Sequence, residues 1–166
     1  MSEHSEWIEK LVSHSADARI AALRKISSQK SVTGVTIVCV KLAGDCDDDV
    51  RMWAADALGR SVTPQHSEVD ALADLILHSD DGEVCYWAAT MLGRLNTDSI
   101  AAIEALQHCV TNSMSLPARE RAVGALAEIG PAAAAALASL EKTAEAAPAR
   151  LKRLAKDAIK AIGKAA

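Results

Sequence analysis

The chain has 166 residues, half of them apolar, and a formal net charge of −4. That acidic balance argues against a nucleic-acid partner, since phosphate-binding domains ordinarily carry a basic stripe. Phenylalanine is absent and alanine abundant, which excludes a core built on bulky rings and favours close-packed helices, because alanine is the best helix former and is depleted from strands.

Apolar residues at helical spacing predict a first segment at Trp7, Ile8, Leu11 and Val12, followed by a second over 17–27. The next segment holds Val35, Val38 and Leu42; with Val32, Ile37 and Val40 it is β-branched enough to pass for a strand in isolation, but its place in the pattern predicts a helix. Asp47, Asp48 and Asp49 then introduce a helix over 48–62, as oxygens that can cap free amides. Beyond Thr63-Pro64, Val69, Leu72, Leu75 and Ile76 predict a further helix. Asp80 and Asp81 precede one over 83–95, and Asn96 to Ser99 form a turn. Ile100, Ile103, Leu106 and Val110, then residues 117–129, make the next pair. Gly130-Pro131 closes it, with Gly130 expected in the left-handed C′ conformation. Ala132–Ala136 reads as helix leading into Leu137 and Leu140, and 149–162 is the last helix.

These segments alternate as A and B, and the B segments repeat a motif. Asp17-Ala18-Arg19-Ile20-Ala21-Ala22 returns as Asp49-Val50-Arg51-Met52-Trp53-Ala54, then more loosely at Glu83, Pro117 and Arg150. The aligned alanines Ala22, Ala54, Ala88, Ala122 and Ala155 stand 32, 34, 34 and 33 residues apart. That interval predicts stacked repeats, no one of which buries its own apolar face. Repeats of about 1–30, 31–62, 63–96, 97–130 and 131–166 in a single domain follow. The pattern D-x-V-R-x-x-A-x-x-A-L-G, carried by Asp49, Val50, Arg51, Ala54, Ala57, Leu58 and Gly59, resembles the HEAT-like repeat, and more narrowly the bacterial form first described in phycobilisome lyases. Ile26, Leu126 and Ile159 hold the Leu58 place elsewhere. The resemblance implies an all-α fold, a right-handed α-α superhelix (solenoid) of about five HEAT-like two-helix repeats, with B helices on the concave side. It implies binding far more often than catalysis.

Equivalent positions separate the B-helix faces. Val50, Ala54, Ala57, Leu58 and Ser61 form one stripe expected to pack on the A layer. Ala55, Ala89 and Val123, with Gly59, Gly93 and Ala127, are expected to touch the following repeat; Lys156 and Lys160 hold these places in the last repeat, as suits a cap. The basic C-terminus is read accordingly as a solvated cap face rather than a phosphate site. A third stripe contains Ala21, Arg24 and Ser28; Trp53, Asp56 and Arg60; Trp87, Thr90 and Arg94; and Arg121, Gly124 and Glu128. Trp53, Trp87, Arg60 and Arg94, flanked by Met52, Tyr86 and Arg121, are the candidate partner-binding residues, because Trp, Tyr and Arg dominate interface hot spots. The competing reading makes both indoles gap-fillers in a core without phenylalanine.

Signals for chemistry are thin. His4, His14, His66, His78 and His108 show no metal-ligand spacing, and His78 with His108 near Asp80 and Asp81 is better read as helix-end surface. The run Asp45, Asp47, Asp48, Asp49 lacks the glycine and glutamate of a calcium loop. No cofactor, catalytic or metal residue is expected. Cys39, Cys46, Cys85 and Cys109 form no C-x-x-C pair, and the polar start Met1–Lys10 is unlike a secretory leader. A cytoplasmic protein with reduced thiols follows. The run Val35–Val40 is too short to span a bilayer, so no membrane is expected. The arginine column Arg19, Arg51 and Arg119, continued by Lys152, is read as a structural ladder that Cys85 interrupts. The functional expectation is a non-enzymatic scaffold for a protein or peptide; the alternative, by resemblance, is an accessory or lyase-type subunit acting on a small cofactor such as a bilin.

Overall fold

A computed structural model describes residues 3–164. Among them ten α-helices form and no strand. The A helices are α1 (Glu3–Leu11), α3 (Thr36–Leu42), α5 (Val69–His78), α7 (Ile103–Asn112) and α9 (Leu137–Ala146). The B helices are α2 (Ala16–Ser27), α4 (Asp48–Arg60), α6 (Gly82–Arg94), α8 (Leu116–Ile129) and α10 (Ala149–Gly163). The β-branched segment is helical as expected from Thr36; only Val32 keeps extended character, bridging in parallel to Val62.

Two compact units result, Met1–Gln65 and His66–Ala166. In the first, α1 packs on α2 and α3, and α4 on α2 and α3. In the second, α5 and α6, α7 and α8, and α9 and α10 pair; A helices also pack on A helices and B on B. Both units therefore show the two-layer stacking of an α-solenoid. The repeating alanines sit where the layers meet: Ala54, Ala88, Ala122 and Ala155 are fully buried and Ala22 nearly so. Ile26, Leu58, Leu92 and Leu126 are likewise fully buried, whereas Ile159 in the last repeat is half-exposed.

Four of the five B helices are capped by one recurring turn. Ser15, Asp47, Asp81 and Ser115 each accept a backbone N–H from the first turn of α2, α4, α6 and α8. Two residues earlier, Ser13, Asp45, Ser79 and Ser113 each accept the cap residue's own N–H. Asp45, Asp47 and Asp81 are thus engaged in capping, and Asp48 pairs with Arg51. Gly82 opens α6 against the cap of α8: a Cβ built on it would lie 2.7 Å from Ser115 Cβ, an atom that cannot swing aside. Gly82→Val is expected to destabilise by about 1–3 kcal/mol through this overpacking, as a lowered urea midpoint with unchanged slope.

The structure corrects several local expectations. Short 3-10 segments, His66–Glu68, Asn96–Ala102 and Gly130–Ala136, precede α5, α7 and α9, so these repeats have three elements rather than two. Ala132–Ala136 is not α-helix but belongs to the last of these segments, with Ala133 at φ −86°, ψ 18° where the chain bends. Pro131 at its head removes a donor and favours the tighter turn. Ile100 falls in the 3-10 segment and is 48% exposed, and Ile8 and Val12 are also exposed rather than core. Pro64 heads no helix; it lies in the irregular stretch before the 3-10 turn at His66. Gly130 does take positive φ, at 71°, but with ψ −141° it occupies the mirror-extended region open to glycine alone, not the left-handed helical one. That turn divides the long apolar stretch Leu116–Ala146 into α8, the 3-10 segment and α9. A positive φ also occurs at Asn96, at 51°, directly after Leu95, the C-cap of α6.

Candidate functional site

The B-helix stripe is described unit by unit. In the first unit, Arg24 and Ser27 of α2, its C-cap Ser28, and Trp53, Asp56 and Arg60 of α4 line an open groove of about 490 Å³. The stripe predicted from repeats one and two is therefore one surface. Trp53 is half-buried, and the Arg24 guanidinium lies over its ring at 4.7 Å from the centroid. Such stacking leaves the guanidinium edge available while the indole keeps an apolar contact. Arg60, with its side chain 70% exposed, reaches Asp56 at 3.6 Å, a surface ion pair worth little on its own. Met52 is exposed beside this stripe.

In the second unit the same positions build a tighter polar cluster. Tyr86 and Trp87 meet edge-to-face, with ring centroids 5.2 Å apart. Arg121 of α8 lies over Tyr86 at 5.9 Å, and its Nε donates to Thr90 Oγ1 at 3.0 Å; that hydroxyl donates in turn to the Tyr86 carbonyl. Burial and the adjacent Arg121 charge pull the Arg94 guanidinium below its ordinary value, while Tyr86 and Glu128 oppose them. Gly93 makes room for this arrangement: a Cβ there would meet the Glu128 carboxylate, with Ala125 just beyond. Within this unit the small column does touch the next B helix. Ala89 and Val123 are buried in it, and Lys156 and Lys160 are exposed at the last repeat. Ala55 and Gly59 of the first unit are half-buried and exposed respectively.

The two tryptophans differ in kind. The Trp87 indole N–H is buried without a hydrogen-bond partner, so its polar handle faces the interior, whereas Trp53 lines a groove. Trp87→Phe removes that unsatisfied donor but also part of the ring's packing, so the two effects oppose and stability is expected to change by no more than about 2 kcal/mol, as read by thermal melting.

The arginine column is structural. Arg19 donates to the Ser13 and His14 carbonyls and pairs with Asp45 at 3.1 Å, joining repeats one and two. Arg51 donates to the Asp45 carbonyl and pairs with Asp48, and Arg119 donates to the Val110 carbonyl. Cys85 takes the same place in repeat three, its thiol directed to the Ser79 carbonyl at 3.4 Å. The histidines are occupied locally: His66 Nδ1 lies 3.1 Å from the Asp98 carbonyl and His78 Nδ1 3.0 Å from that of Asp74, while His108 Nδ1 accepts from Asn112. His4 lies outside the residues whose side chains are described. Among the described residues no group of three metal-ligating side chains converges. Cys39, Cys85 and Cys109 are buried and Cys46 is exposed. Arg150 pairs with Glu120 at 3.1 Å, which gives one of the C-terminal basic residues an internal partner.

No family model matches the chain, and no curated protein matches it in sequence. Solved structures do match in fold. A designed armadillo repeat protein in complex with the peptide (KR)4 is 20% identical, with 96% of this chain and 81% of that one covered at a TM-score of 0.65. An engineered protein is 22% identical over 95% of this chain and 78% of its own, at 0.64. A computationally designed armadillo repeat protein for modular peptide recognition is 22% identical over 95% and 81%, at 0.61. The chain therefore folds as an α-solenoid of armadillo-like helical repeats.

Proposed function

We propose that the chain is a non-enzymatic scaffold that binds a protein or peptide through the exposed faces of its B helices. The groove of the first unit carries this reading: a half-buried indole lies beneath one guanidinium and beside another, on a face that no helix of its unit covers. A flat apolar ring with flanking guanidiniums suits a partner presenting an apolar side chain next to carboxylates. Arg24 and Arg60 outnumber Asp56 there, so the local sign is opposite to what a basic peptide would select. The peptide recognition described for the designed armadillo proteins supports a peptide-sized partner, and the Asp-x-Arg column, which resembles bacterial HEAT-like repeats, supports a natural binding solenoid. Buried free thiols at Cys39, Cys85 and Cys109 support a reducing, cytoplasmic setting.

Selection of a displayed peptide library on the full chain is expected to enrich sequences pairing Asp or Glu with a large apolar residue. The Arg24→Glu/Arg60→Glu variant, altered only at exposed positions, should keep its helical circular dichroism and lose at least roughly tenfold in affinity for the selected peptides. Failure to enrich such acidic-apolar sequences, or their undiminished binding by the folded variant, rejects the assignment.

A further inference from the structure

In the first four repeats the end of the A helix, or the turn after it, meets a side chain from the B helix. Where that side chain is arginine, its guanidinium takes carbonyls of the turn after the A helix or of the helix's last turn. Arg19 takes the Ser13 and His14 carbonyls, Arg51 that of Asp45, and Arg119 that of Val110 in the last turn of α7. Val110 lies at the negative end of its helix, where a cation is favoured, and Ser13, His14 and Asp45 lie in the turn two or three residues beyond theirs. Arg119 donates its Nε to the Val110 carbonyl at 2.7 Å.

Repeat three has Cys85 in that place, and the space a longer side chain would fill is left as a cavity of about 330 Å³. Ser79, Asp80, Cys85, Cys109, Ser113 and Met114 line it, between the ends of α5 and α7. The Ser79 carbonyl, six residues before Cys85 as Ser13 is before Arg19, receives a thiol, a weak donor. Two thiols at the wall do not make it a nucleophilic site. Burial and the neighbouring Cys85 push Cys109 up to about 12, and burial with Asp81 and Asp80 pushes Cys85 up as well. The same aspartates give the cavity a negative field; the charge of opposite effect is Arg119, whose guanidinium is engaged at Val110.

We propose that this cavity is a receptor for a guanidinium group supplied from outside the chain, seated on the carbonyls that Arg19, Arg51 and Arg119 occupy in the other repeats. A guanidinium fits better than an ammonium because its planar fork can engage several carbonyls of one helix end together. The site draws on different residues from the B-helix stripe and stands or falls separately from it.

The test is an amide NMR titration of the full chain with methylguanidinium chloride, against methylammonium chloride at equal ionic strength, below the denaturing range. Saturable shifts confined to residues 76–85 and 108–114, with a Kd on the order of millimolar, are expected for methylguanidinium alone. Cys85→Arg, which tethers the group in place, should abolish the response and raise the melting temperature. If that variant does not fold, Asp80→Asn at an exposed position serves instead and should weaken binding about threefold. Stronger binding of N-acetylarginine amide than of free arginine assigns the site to an arginine of a peptide; the reverse assigns it to a free guanidino compound. Equal response to both cations, no saturable response, or undiminished binding by the folded Cys85→Arg or Asp80→Asn variants overturns the proposal.

Discussion

Leu92→Ala is expected to lower the unfolding free energy by about 2–5 kcal/mol, the range for truncating a fully buried leucine where the cavity collapses only in part. Leu92 is completely buried in α6, and its carbonyl accepts the buried Ser99 hydroxyl at 2.9 Å, which ties α6 to the 3-10 segment after it. The lost methyls therefore face groups that are held in place. Ile159 occupies the equivalent position in the last repeat but is half-exposed. Ile159→Ala should cost about half as much or less, since the transfer term scales with the apolar area buried. Urea denaturation of the two variants would check the contrast. Equal losses would mean that the last repeat is as enclosed as the third, contrary to the structure.

Arg19→Ala is expected to cost about 3–5 kcal/mol, the loss seen when one partner of a buried ion pair is removed. Arg19 and Asp45 side chains are each 11% exposed. Without the guanidinium, the Ser13 and His14 carbonyls lose their donor and the Asp45 charge keeps only the Asp47 amide and the Cys46 thiol. The same pair sets a pH dependence. Burial alone would raise the Asp45 carboxyl, but the Asp47 amide, the Arg19 charge and hydrogen bond, and the Cys46 thiol together hold it below the ordinary aspartate value. A carboxyl depressed on folding contributes stability that is present above its unfolded pKa of about 3.9 and is lost as pH falls through the lower folded value. The parent should therefore lose stability on acidification below about pH 4, and Asp45→Asn should flatten that part of the profile. Thermal melts from pH 2 to 7 would show it; an unchanged slope in Asp45→Asn would remove the pair from the account.

Much of the architecture is legible in the sequence. The B helices begin and end within a residue or two of where their motif places them. The caps at Asp47 and Asp81 follow from side chains adjacent in sequence to the amides they accept. The 3-10 segments are less legible, because alanine and isoleucine at helical spacing do not distinguish i→i+3 from i→i+4 bonding; only Pro131 and the glycine before it hinted at the last. Within the candidate site, the stripe of Arg24, Ser28, Trp53, Asp56 and Arg60 could be read because its members share one helix-face register. The inward N–H of Trp87 and the cavity beside Cys109 could not, although the cysteine interrupting an arginine column was the signal that something differed there.

By itself, then, the sequence determined the number of repeats, the helix registers, the buried alanine and leucine columns and the caps, since each depends on groups within a few residues of one another. Only the tertiary structure decided that Arg24 covers Trp53, that Glu128 occupies the space over Gly93, and that replacing arginine by Cys85 leaves a cavity. These contacts join residues roughly one repeat apart, and periodicity specifies which faces meet without specifying which side chains fill the space between them.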